Sequence, residues 1–551
     1  MKQGNLKKTT KTAGPKTAGP KTAWSKTAGP KTAWPKTAGS KTAGPKTDHL
    51  CPVRQKCGGC QYLNLTYQGQ LRRKQEMAQE LLGKYCKIDP IIGMEEPFHY
   101  RNKVTRTFGY VNRRAVCGIY QEGTHRIVQA DTCLIEDPRA MAIAATIRKM
   151  LPSFKIRTYD EDTEMGFLRH VLIRCGRGGA VGDVPGSRDG SPEPGLSAVA
   201  AKDGLSQFGP AQESPARSGG MGGDVLVVLV AASPIFPTQK HFVRELKEKH
   251  PEITGIVLNV NDKHTTMVLG EREKVLYGKG YVEDELEGYV FRIGARSFYQ
   301  VNKAQAGALY RKAVEMAHFD GNETLVDAYC GIGAIGIIAA KHVRHVIGVE
   351  LNPDAVRDAV ANAKRNGITN IRFYENDAGV FLQGMAQDLG VASHYGADTA
   401  DTTSADDEWG AAVPGRKMRN AGRGGRHGDE GDGGAVPIGS VSPLAILLDP
   451  PRSGATPEFL SAAVQMKPTK IIYISCDLHT LARDLEVLGR SAYRPQRIAL
   501  VDMFPWTGHV EAVAVLTKSA QGSVTDRGPK GQRGQRKQKE QHRIASGGDV
   551  R

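Results

Sequence analysis

The sequence predicts an α/β protein whose C-terminal half is a doubly wound parallel sheet, and two observations support that fold class. Beyond residue 286, short apolar runs alternate with helical segments, which is typical of parallel strands joined by helices. Polar residues directly follow or end several of these runs: Asp327, Glu350, Asp377, Asp449 and Cys476. Because the carboxyl ends of parallel strands meet at one edge of such a sheet, we expect these side chains to surround one ligand site.

A glycine-rich turn follows the strand that ends in Asp327. The segment reads TLVDAYCGIGAIG over residues 324–336, and its glycines let the backbone approach a ligand at the start of a helix. Glu350 ends the next strand, about 20 residues later, where a carboxylate suits the two hydroxyls of a ribose. The D-x-Y-C-G-x-G pattern favours S-adenosylmethionine (SAM) over a dinucleotide. The alternative is a tight turn that binds nothing.

Cys476 lies between a strand, IIYIS, and the helical segment CDLHTLARDL. A helix N-terminus lowers the pKa of a thiol, so this position predicts a thiolate nucleophile. A SAM-dependent enzyme needs a thiolate when its target carbon is not nucleophilic, as at C5 of a pyrimidine. Attack at C6 makes C5 an enolate-like carbanion that can take a methyl group, and a base must then remove the C5 proton. The alternative is a buried cysteine at the end of a strand.

Three cysteines near the N-terminus follow the spacing C-x5-C-x2-C, namely Cys51, Cys57 and Cys60. A fourth metal ligand would come from elsewhere in the chain, with three candidates: Cys86, Cys117 and Cys133. Four thiolates suit an iron–sulfur cluster and a structural zinc equally well. The spacing differs from the C-x3-C-x2-C of radical-SAM enzymes. Core cysteines without a metal are the remaining alternative.

The motifs beyond residue 290 resemble those of the RNA uracil-5-methyltransferases of the TrmA/RlmD family. FYQVN, DAYCGIGAIG, GVELN, DPPR, SCDLHTLARDL and DMFPWTGHVE follow one another with family-like spacing, and the similarity covers residues 50–517 apart from two insertions. The resemblance implies that Cys476 is the nucleophile and that Glu511 is the base that removes the C5 proton. It also implies four SAM contacts: Gln300, Tyr329, Glu350 and Asp449. Asp377 follows a strand at a place suited to the adenine edge of SAM.

The resemblance extends to the metal and the substrate. The cysteine spacing is similar to that of the ribosomal-RNA members, which hold a 4Fe–4S cluster that the tRNA members lack, and Cys133 matches the family's fourth ligand better than Cys86 or Cys117. It therefore implies methylation of uridine C5 in large-subunit (23S) ribosomal RNA, giving 5-methyluridine. The alternatives are the same reaction on tRNA, or a catalytically idle protein of RNA binding or ribosome assembly, which would need neither Cys476 nor Glu511.

Two features depart from the family pattern. The ribosomal-RNA enzymes often begin with a small β-barrel RNA-binding (TRAM) domain, whereas this chain has a Lys-rich arm in that place. Asn-Pro usually follows the catalytic cysteine, whereas this chain has Asp477-Leu478. We expect the second departure to alter the turn and not the nucleophile.

Two basic tails account for the formal net charge of +17. Residues 1–47 hold eleven Lys and no acid, and residues 518–551 hold nine Lys or Arg against three Asp or Glu, which gives +11 and +6. Seven KTAGP-like pentapeptides leave nothing with which to build a core, so we expect a disordered arm that attracts RNA phosphates without sequence preference. The alternative is a solubility tail. With no membrane-length apolar run and no signal peptide, the sequence predicts a cytoplasmic protein without an obligate protein partner.

The expected architecture is a Rossmann-like methyltransferase sheet preceded by a smaller iron–sulfur and antiparallel β-rich region, with disordered tails and two disordered insertions. We expect five segments: a Lys-rich repeat arm (1–47), an iron–sulfur cysteine region (48–135), a central β-rich domain (136–285) with an insertion (176–223), a SAM methyltransferase domain (286–517) with an insertion (386–440), and a basic tail (518–551).

Overall fold

The structure is a computed structural model, and it describes residues 51–111, 114–121, 123–176, 223–265, 267–389 and 443–519. The Lys-rich arm, nearly all of the basic tail and nearly all of the two predicted insertions lie outside these residues. All described residues belong to one unit, Gly44–Arg551.

The N-terminal segment carries the cysteine motif and one long helix. A single turn, α1 (Arg54–Cys57), lies within the motif, and α2 (Tyr67–Leu82) follows it. The side chain of Thr66 caps α2 by accepting a hydrogen bond from the amide of Gly69. Buried residues at helical spacing, including Leu71 and Ala78, form the inner face of α2, as its amphipathic sequence predicts.

The first sheet has seven strands in the spatial order β3-β2-β1-β4-β5-β6-β7. Its strands are β1 (Lys103–Val111), β2 (Arg114–Tyr120), β3 (Ile127–Gln129), β4 (Leu168–Cys175), β5 (Val225–Ala231), β6 (Ile253–Val260) and β7 (Arg272–Gly278). Neighbours are antiparallel except β5 and β6, which are parallel. Since β1 pairs with β4, this sheet crosses the boundary expected at residue 135.

Both faces of the first sheet are covered, and this explains why β4 and β5 are apolar along their whole length. Alternate residues on one face of the sheet, such as Ile173 and Val227, pack with α3 (Pro138–Met150) and α4 (Gln239–Lys249). Residues on the opposite face, such as Leu172 and Val228, pack against the methyltransferase half. The hairpin β8 (Tyr281–Leu286) and β9 (Tyr289–Gly294) and the helix α5 (Lys303–Ala317) connect the two sheets along the chain.

The second sheet has seven strands in the order β12-β11-β10-β13-β14-β16-β15. The strands are β10 (Thr324–Ala328), β11 (His345–Glu350), β12 (Ile371–Glu375), β13 (Leu444–Leu448), β14 (Lys470–Ser475), β15 (Tyr493–Val501) and β16 (Glu511–Lys518). The helices are α6 (Ala334–Ala339), extended by a 3-10 turn (Ala340–His342), α7 (Pro353–Arg365), α8 (Ala378–Asp388), α9 (Pro457–Gln465) and α10 (Leu478–Arg490). α8 therefore overlaps the start of the insertion expected at residue 386.

The strand order confirms the predicted doubly wound sheet. Strands β12, β11, β10, β13 and β14 are parallel, and β16 and β15 complete the sheet as antiparallel strands. The chain moves outward from β10 to β12 and then returns to place β13 on the other side of β10. Ligands of doubly wound sheets bind at such a reversal, outside the carboxyl ends of the strands.

The N-terminal segment contacts the 502–510 loop, which joins β15 to β16. The amide of Tyr62 donates to the carbonyl of Trp506 (3.0 Å), and the amide of Gly508 donates to Oε1 of Gln61 (3.1 Å). Lys74 and Asp502 form an ion pair between fully buried side chains. Burying these charges costs free energy unless they stay paired, so these contacts fix the loop against α2.

No helix within the residues that the structure describes is long and apolar enough to cross a membrane.

Candidate active site

One large cavity lies at the carboxyl ends of the second sheet. Its volume is about 810 Å³, and its wall extends from the cysteine motif to the first residue of β16. Ten of the site residues predicted from the sequence line it: Cys51, Cys57, Cys60, Cys133, Gln300, Tyr329, Glu350, Asp449, Cys476 and Glu511. Residues far apart in the chain are thus brought to one space.

Two residues expected at the site lie outside this cavity wall: Asp327, which lines a smaller cavity, and Asp377. β12 ends at Glu375, and Asp377 instead caps α8, with its Oδ1 accepting hydrogen bonds from the amides of Gly379 (2.9 Å) and Val380 (3.0 Å). Its charge still reaches Tyr329, where it adds to the effect of burial in raising the pKa of the phenol to about 12. Its contact with adenine stays a prediction.

The glycine loop between β10 and α6 needs its glycines for two different reasons. Gly331 has φ +56 and no atom within 4 Å of an added Cβ, so backbone conformation alone favours glycine there. Gly333 has φ +78, and an added Cβ would lie 2.8 Å from the ring of Phe373. The amide of Gly331 donates to Oε2 of Glu350 (3.0 Å), which ties the loop to the end of β11.

A smaller cavity of about 60 Å³ lies behind the glycine loop, beside Gln300 and Asp449. Asp327 also lines it and accepts a hydrogen bond from the amide of Gly336 (2.9 Å), near the start of α6. Burial raises the pKa of Asp327 and that of Asp449 to about 7 each. The carboxylate of Glu350 is placed to accept hydrogen bonds from the hydroxyls of a ribose. Together with the glycine loop and this recess, it suits a nucleoside-bearing cofactor such as SAM.

Cys476 lies between β14 and α10, as its sequence predicts, but its pKa moves opposite to expectation. Burial, followed by the charges of Glu511 and Asp449, raises the pKa of the thiol to about 11. The prediction of a lowered pKa is therefore wrong for the protein without substrate. The next residue, Asp477, caps α10, and its carboxylate accepts hydrogen bonds from the amides of His479 and Thr480, at 2.9 and 3.1 Å. The Asp-Leu departure thus produces an N-cap.

Glu511 is the first residue of β16 and is only 2% exposed. Its Oε2 has no hydrogen-bond partner among the residues that the structure describes. Burial, and then the neighbouring charge of Asp449, raises the pKa of Glu511 well above its usual value. A buried acceptor without a partner, on a cavity wall, is suited to receive a proton from a ligand.

Arg452, the last residue of DPPR, supplies positive charge to this group. Its guanidinium lowers the pKa of both Cys476 and Glu511, against the larger effect of burial. Its Nη2 lies 3.5 Å from Nε2 of His509. Arg452 therefore favours the ionised forms of Cys476 and Glu511.

The four cysteines gather at the other end of the cavity. Burial, and then the thiols of Cys133, Cys57 and Cys51, raise the pKa of Cys60 to about 12. Of the other two candidates for a fourth ligand, Cys86 packs against the core of the second sheet and Cys117 is buried in the core of the first. Cys133 is the candidate that lies beside the motif, as the resemblance implies.

Among the described residues, no three His, Cys, Asp or Glu side chains are arranged to hold one metal ion. A 4Fe–4S cluster on Cys51, Cys57, Cys60 and Cys133 stays a prediction.

Several residues of the cavity wall had no role assigned from the sequence. Phe298 is 60% exposed and lines both cavities, and Arg452 and His509 lie near Cys476. Two of these residues lie in motifs that the sequence did indicate, since Phe298 begins FYQVN and Arg452 ends DPPR. Thr105 and Arg106 of β1 also line the cavity, as does Arg101, which precedes β1 by two residues, with no motif to indicate it.

Comparisons with known proteins agree with this geometry. Residues 436–519 match the family model described as tRNA (Uracil-5-)-methyltransferase, and residues 319–395 match one described as a methyltransferase domain. An uncharacterized RNA methyltransferase of Halalkalibacterium halodurans is 33% identical over 476 residues, covering 85% of this chain and 82% of the relative. A second, from Oceanobacillus iheyensis, is 33% identical over 467 residues, covering 84% and 81%.

One solved structure resembles the chain over most of its length. The tRNA (uracil-54, C5)-methyltransferase of Pyrococcus abyssi, in complex with S-adenosyl-L-homocysteine, superimposes with a TM-score of 0.55 at 22% identity, covering 84% of this chain and 86% of that one. At this identity the likeness concerns the fold.

The doubly wound sheet, its glycine loop and the matching models make this protein a SAM-dependent methyltransferase that acts on RNA. Within that class, the chain belongs to the RNA uracil-5-methyltransferase family.

Proposed function

We propose that the protein methylates C5 of uridine in large-subunit (23S) ribosomal RNA through a covalent adduct between Cys476 and C6 of the base. The observation that carries the reaction is the presence of Cys476 and Glu511 on the wall of one cavity, close enough that the charge of Glu511 raises the pKa of the thiol. A catalytically idle RNA-binding protein would need neither group there.

Cys476 is the nucleophile in this proposal. Burial and the charges of Glu511 and Asp449 raise its pKa to about 11, so the thiol is the main form near pH 7. Arg452 favours the thiolate. Because addition to C6 consumes the thiolate, more of the thiol ionises to replace it. The new S–C6 bond moves the electron pair of the C5–C6 double bond onto C5 and O4. C5 then takes up the methyl group that SAM supplies when bound.

Glu511 is the base that completes the reaction. Its carboxylate accepts the C5 proton, the electron pair of that C–H bond restores the C5–C6 double bond, and the sulfur leaves C6 as a thiolate. A carboxylate whose pKa is raised by burial is a stronger proton acceptor once ionised than an exposed one. Glu511 then loses the proton to solvent and Cys476 is free again, so one proton is released overall.

Four residues of the cavity wall are proposed to hold SAM: Gln300, Tyr329, Glu350 and Asp449. Glu350 ends β11 beside the glycine loop, which suits a ribose diol. Gln300 and Asp449 border the smaller recess as well as the large cavity. Asp377 is proposed to reach the adenine edge from its position beside Tyr329.

Ribosomal RNA is favoured by the four-cysteine donor set, which the sequence shares with the cluster-bearing ribosomal-RNA members of the family. The same reaction on tRNA is the second candidate. It is favoured by the description of the matching family model and by the likeness to the archaeal enzyme that acts on uracil 54 of tRNA.

The substrate is tested with RNA from a strain that lacks this protein. Purified enzyme and methyl-labelled SAM are expected to introduce 5-methyluridine into 23S ribosomal RNA from that strain and not into its tRNA. Nucleoside analysis of the separated RNAs is the measurement, and the Cys476→Ala variant is the control. Label confined to tRNA would establish the second candidate, and no 5-methyluridine in either RNA would reject the proposed reaction.

We also propose that Cys51, Cys57, Cys60 and Cys133 hold a 4Fe–4S cluster. Protein purified without oxygen is expected to be brown, with broad absorption at about 400 nm. It should contain about four irons and about four sulfides per chain. Cys133→Ser should lose most of this absorption. Cys86→Ser is the matched control, because Cys86 is also a free, partly buried cysteine but packs against the second sheet. A colourless protein with one zinc per chain would contradict the assignment.

A further inference from the structure

Three cations lie side by side on one face of the first sheet. Lys103 of β1 and Arg174 of β4 are direct cross-strand partners, and Arg101 precedes Lys103 by two residues and so points to the same side. This face is turned toward the methyltransferase half, because Nη2 of Arg174 donates to the carbonyl oxygens of Ala295 and Ser297.

The cation group borders the cavity that contains Cys476. Arg101 and Thr105, on either side of Lys103 along the same face, both line that cavity. The backbone between them is fixed to the FYQVN segment, since the amide of Asn102 donates to the carbonyl of Val301 (2.9 Å) and its Nδ2 donates to the carbonyl of Gln300 (3.1 Å). Lys103 therefore lies where the first sheet meets the proposed SAM-binding residues.

Neither Arg101 nor Lys103 is held in a side-chain hydrogen bond or an ion pair within the part of the chain that the structure describes, although the charge of Arg101 lowers the pKa of Glu136 against the larger effect of burial. Arg174 is buried against backbone carbonyls and leaves its Nε unpaired. Only more distant carboxylates, Asp358 of α7 and Glu273 of β7, act on it. Lys103 is thus the member of the group on which no carboxylate acts, and a cation withdrawn from water without an anion is unfavourable in the free protein.

The electrostatics of Lys103 agree with a site suited to an anion. Burial, followed by the like charges of Arg174 and Arg101, lowers the pKa of Lys103 to about 8. No carboxylate contributes to that shift, either from its own strand or from β4. An anion bound between these groups would reverse the shift.

We propose that Arg101 and Lys103 bind a phosphodiester of the RNA strand beside the target uridine. A phosphate offers anionic oxygens that accept charge-assisted hydrogen bonds from both the guanidinium and the ammonium. Phosphate contacts fix the register of a nucleic acid without reading its sequence. The two residues would thus hold the strand at the cavity mouth while the base reaches Cys476. The proposal rests on the RNA substrate of the proposed function and holds for ribosomal RNA and tRNA alike.

The test begins with Lys103→Met, which keeps the length of the side chain and removes its charge. The probe is a labelled single-stranded RNA of about twelve nucleotides with one uridine, a length within the range that single-strand sites cover. We expect its Kd and the KM for methyl transfer to rise at least about fivefold, with little change in kcat, and the slope of log K against log salt to fall by about 0.7. The melting temperature of the free protein should rise, because an unpaired half-buried cation has been removed.

Lys341→Met is the matched control. Lys341 also lacks a partner among the described residues, but it is exposed and lies after α6, at the opposite edge of the second sheet from the cavity. Its removal should change neither RNA affinity nor salt slope. Normal RNA affinity with an unchanged salt slope in Lys103→Met would overturn the proposal, and so would lowered stability with normal affinity, which would mark a structural cation.

Lys103→Arg provides a second, independent readout. In the wild type, RNA affinity should fall as pH rises from about 7 to 9.5, because free Lys103 loses its proton near pH 8 and must regain it to bind phosphate. Lys103→Arg stays charged over this range, so its affinity should be nearly independent of pH. An identical fall in both proteins would contradict the proposal.

Two outcomes distinguish this site from the proposed function. Methyl transfer by Lys103→Met with an unchanged KM would overturn this site and leave the proposed function standing. Wild-type protein that methylates no RNA would reject the proposed function itself.

Discussion

Cys476→Ala is expected to lower methyl transfer to RNA by more than about a thousandfold, because no other group could add to C6 in its place. SAM affinity should change by less than about twofold, since the sulfur acts on the base and not on the cofactor. Single-turnover methyl transfer and calorimetric SAM binding measure the two effects. Cys86→Ala is the control, because Cys86 lies outside the cavity wall. Turnover by Cys476→Ala above a few per cent of wild type would exclude the covalent mechanism.

RNA with 5-fluorouridine at the target position should trap the wild-type protein as a covalent adduct, because no C5 proton is then available for removal. The rate of trapping should rise nearly tenfold per pH unit between about pH 7 and 9, as the thiol with its pKa of about 11 becomes increasingly ionised. Cys476→Ala should form no adduct. A trapping rate that is flat over this range would show that the thiol ionises at a much lower pH in the RNA complex.

Glu511→Gln should separate the two halves of the reaction. Overall turnover is expected to fall by about a hundred- to ten-thousandfold, the usual contribution of a positioned base. Addition should not slow, because Glu511 raises the pKa of Cys476 and a neutral amide removes that effect. The methylated adduct with natural uridine should therefore accumulate and appear as a slow band on a denaturing gel.

Glu458→Gln is the matched control for that experiment, because Glu458 is an exposed carboxylate in the first turn of α9. It should turn over normally without accumulating adduct. If Glu511→Gln also shows normal turnover and no adduct, another group removes the C5 proton.

The fold of the second half and most of the cavity wall were predictable from the sequence because their determinants are local. Each parallel strand is a short apolar run, and the residue that ends it or follows it marks its carboxyl end. A doubly wound sheet brings those ends together whatever lies between them, so Glu350, Asp449 and Cys476 could be placed at one site without knowing the lengths of the insertions.

What the sequence did not predict depends on contacts between distant residues. The pKa of Cys476 is set by burial and by Glu511 and Asp449, and these effects outweigh the helix N-terminus that immediate sequence neighbours suggest. Asp377 was read as a ligand because it follows a strand, yet the amides of α8 compete for the same carboxylate. The grouping of Lys103 with Arg174 exists only because β1 pairs with β4, a register that no motif specifies.

The contacts between the N-terminal segment and the 502–510 loop also constrain the order in which the chain can assemble. Gln61 and Gly508 are 447 positions apart, and Lys74 and Asp502 are 428 apart. Because synthesis begins at the N-terminus and domains fold as they emerge, residues 51–74 must wait until β15 and the following loop have been made. Cys51 and Cys60 pack against the cluster that contains Trp506, so their thiols reach their final surroundings only after that residue has been made. A chain that stops before Trp506 would present these thiols without the core that encloses them.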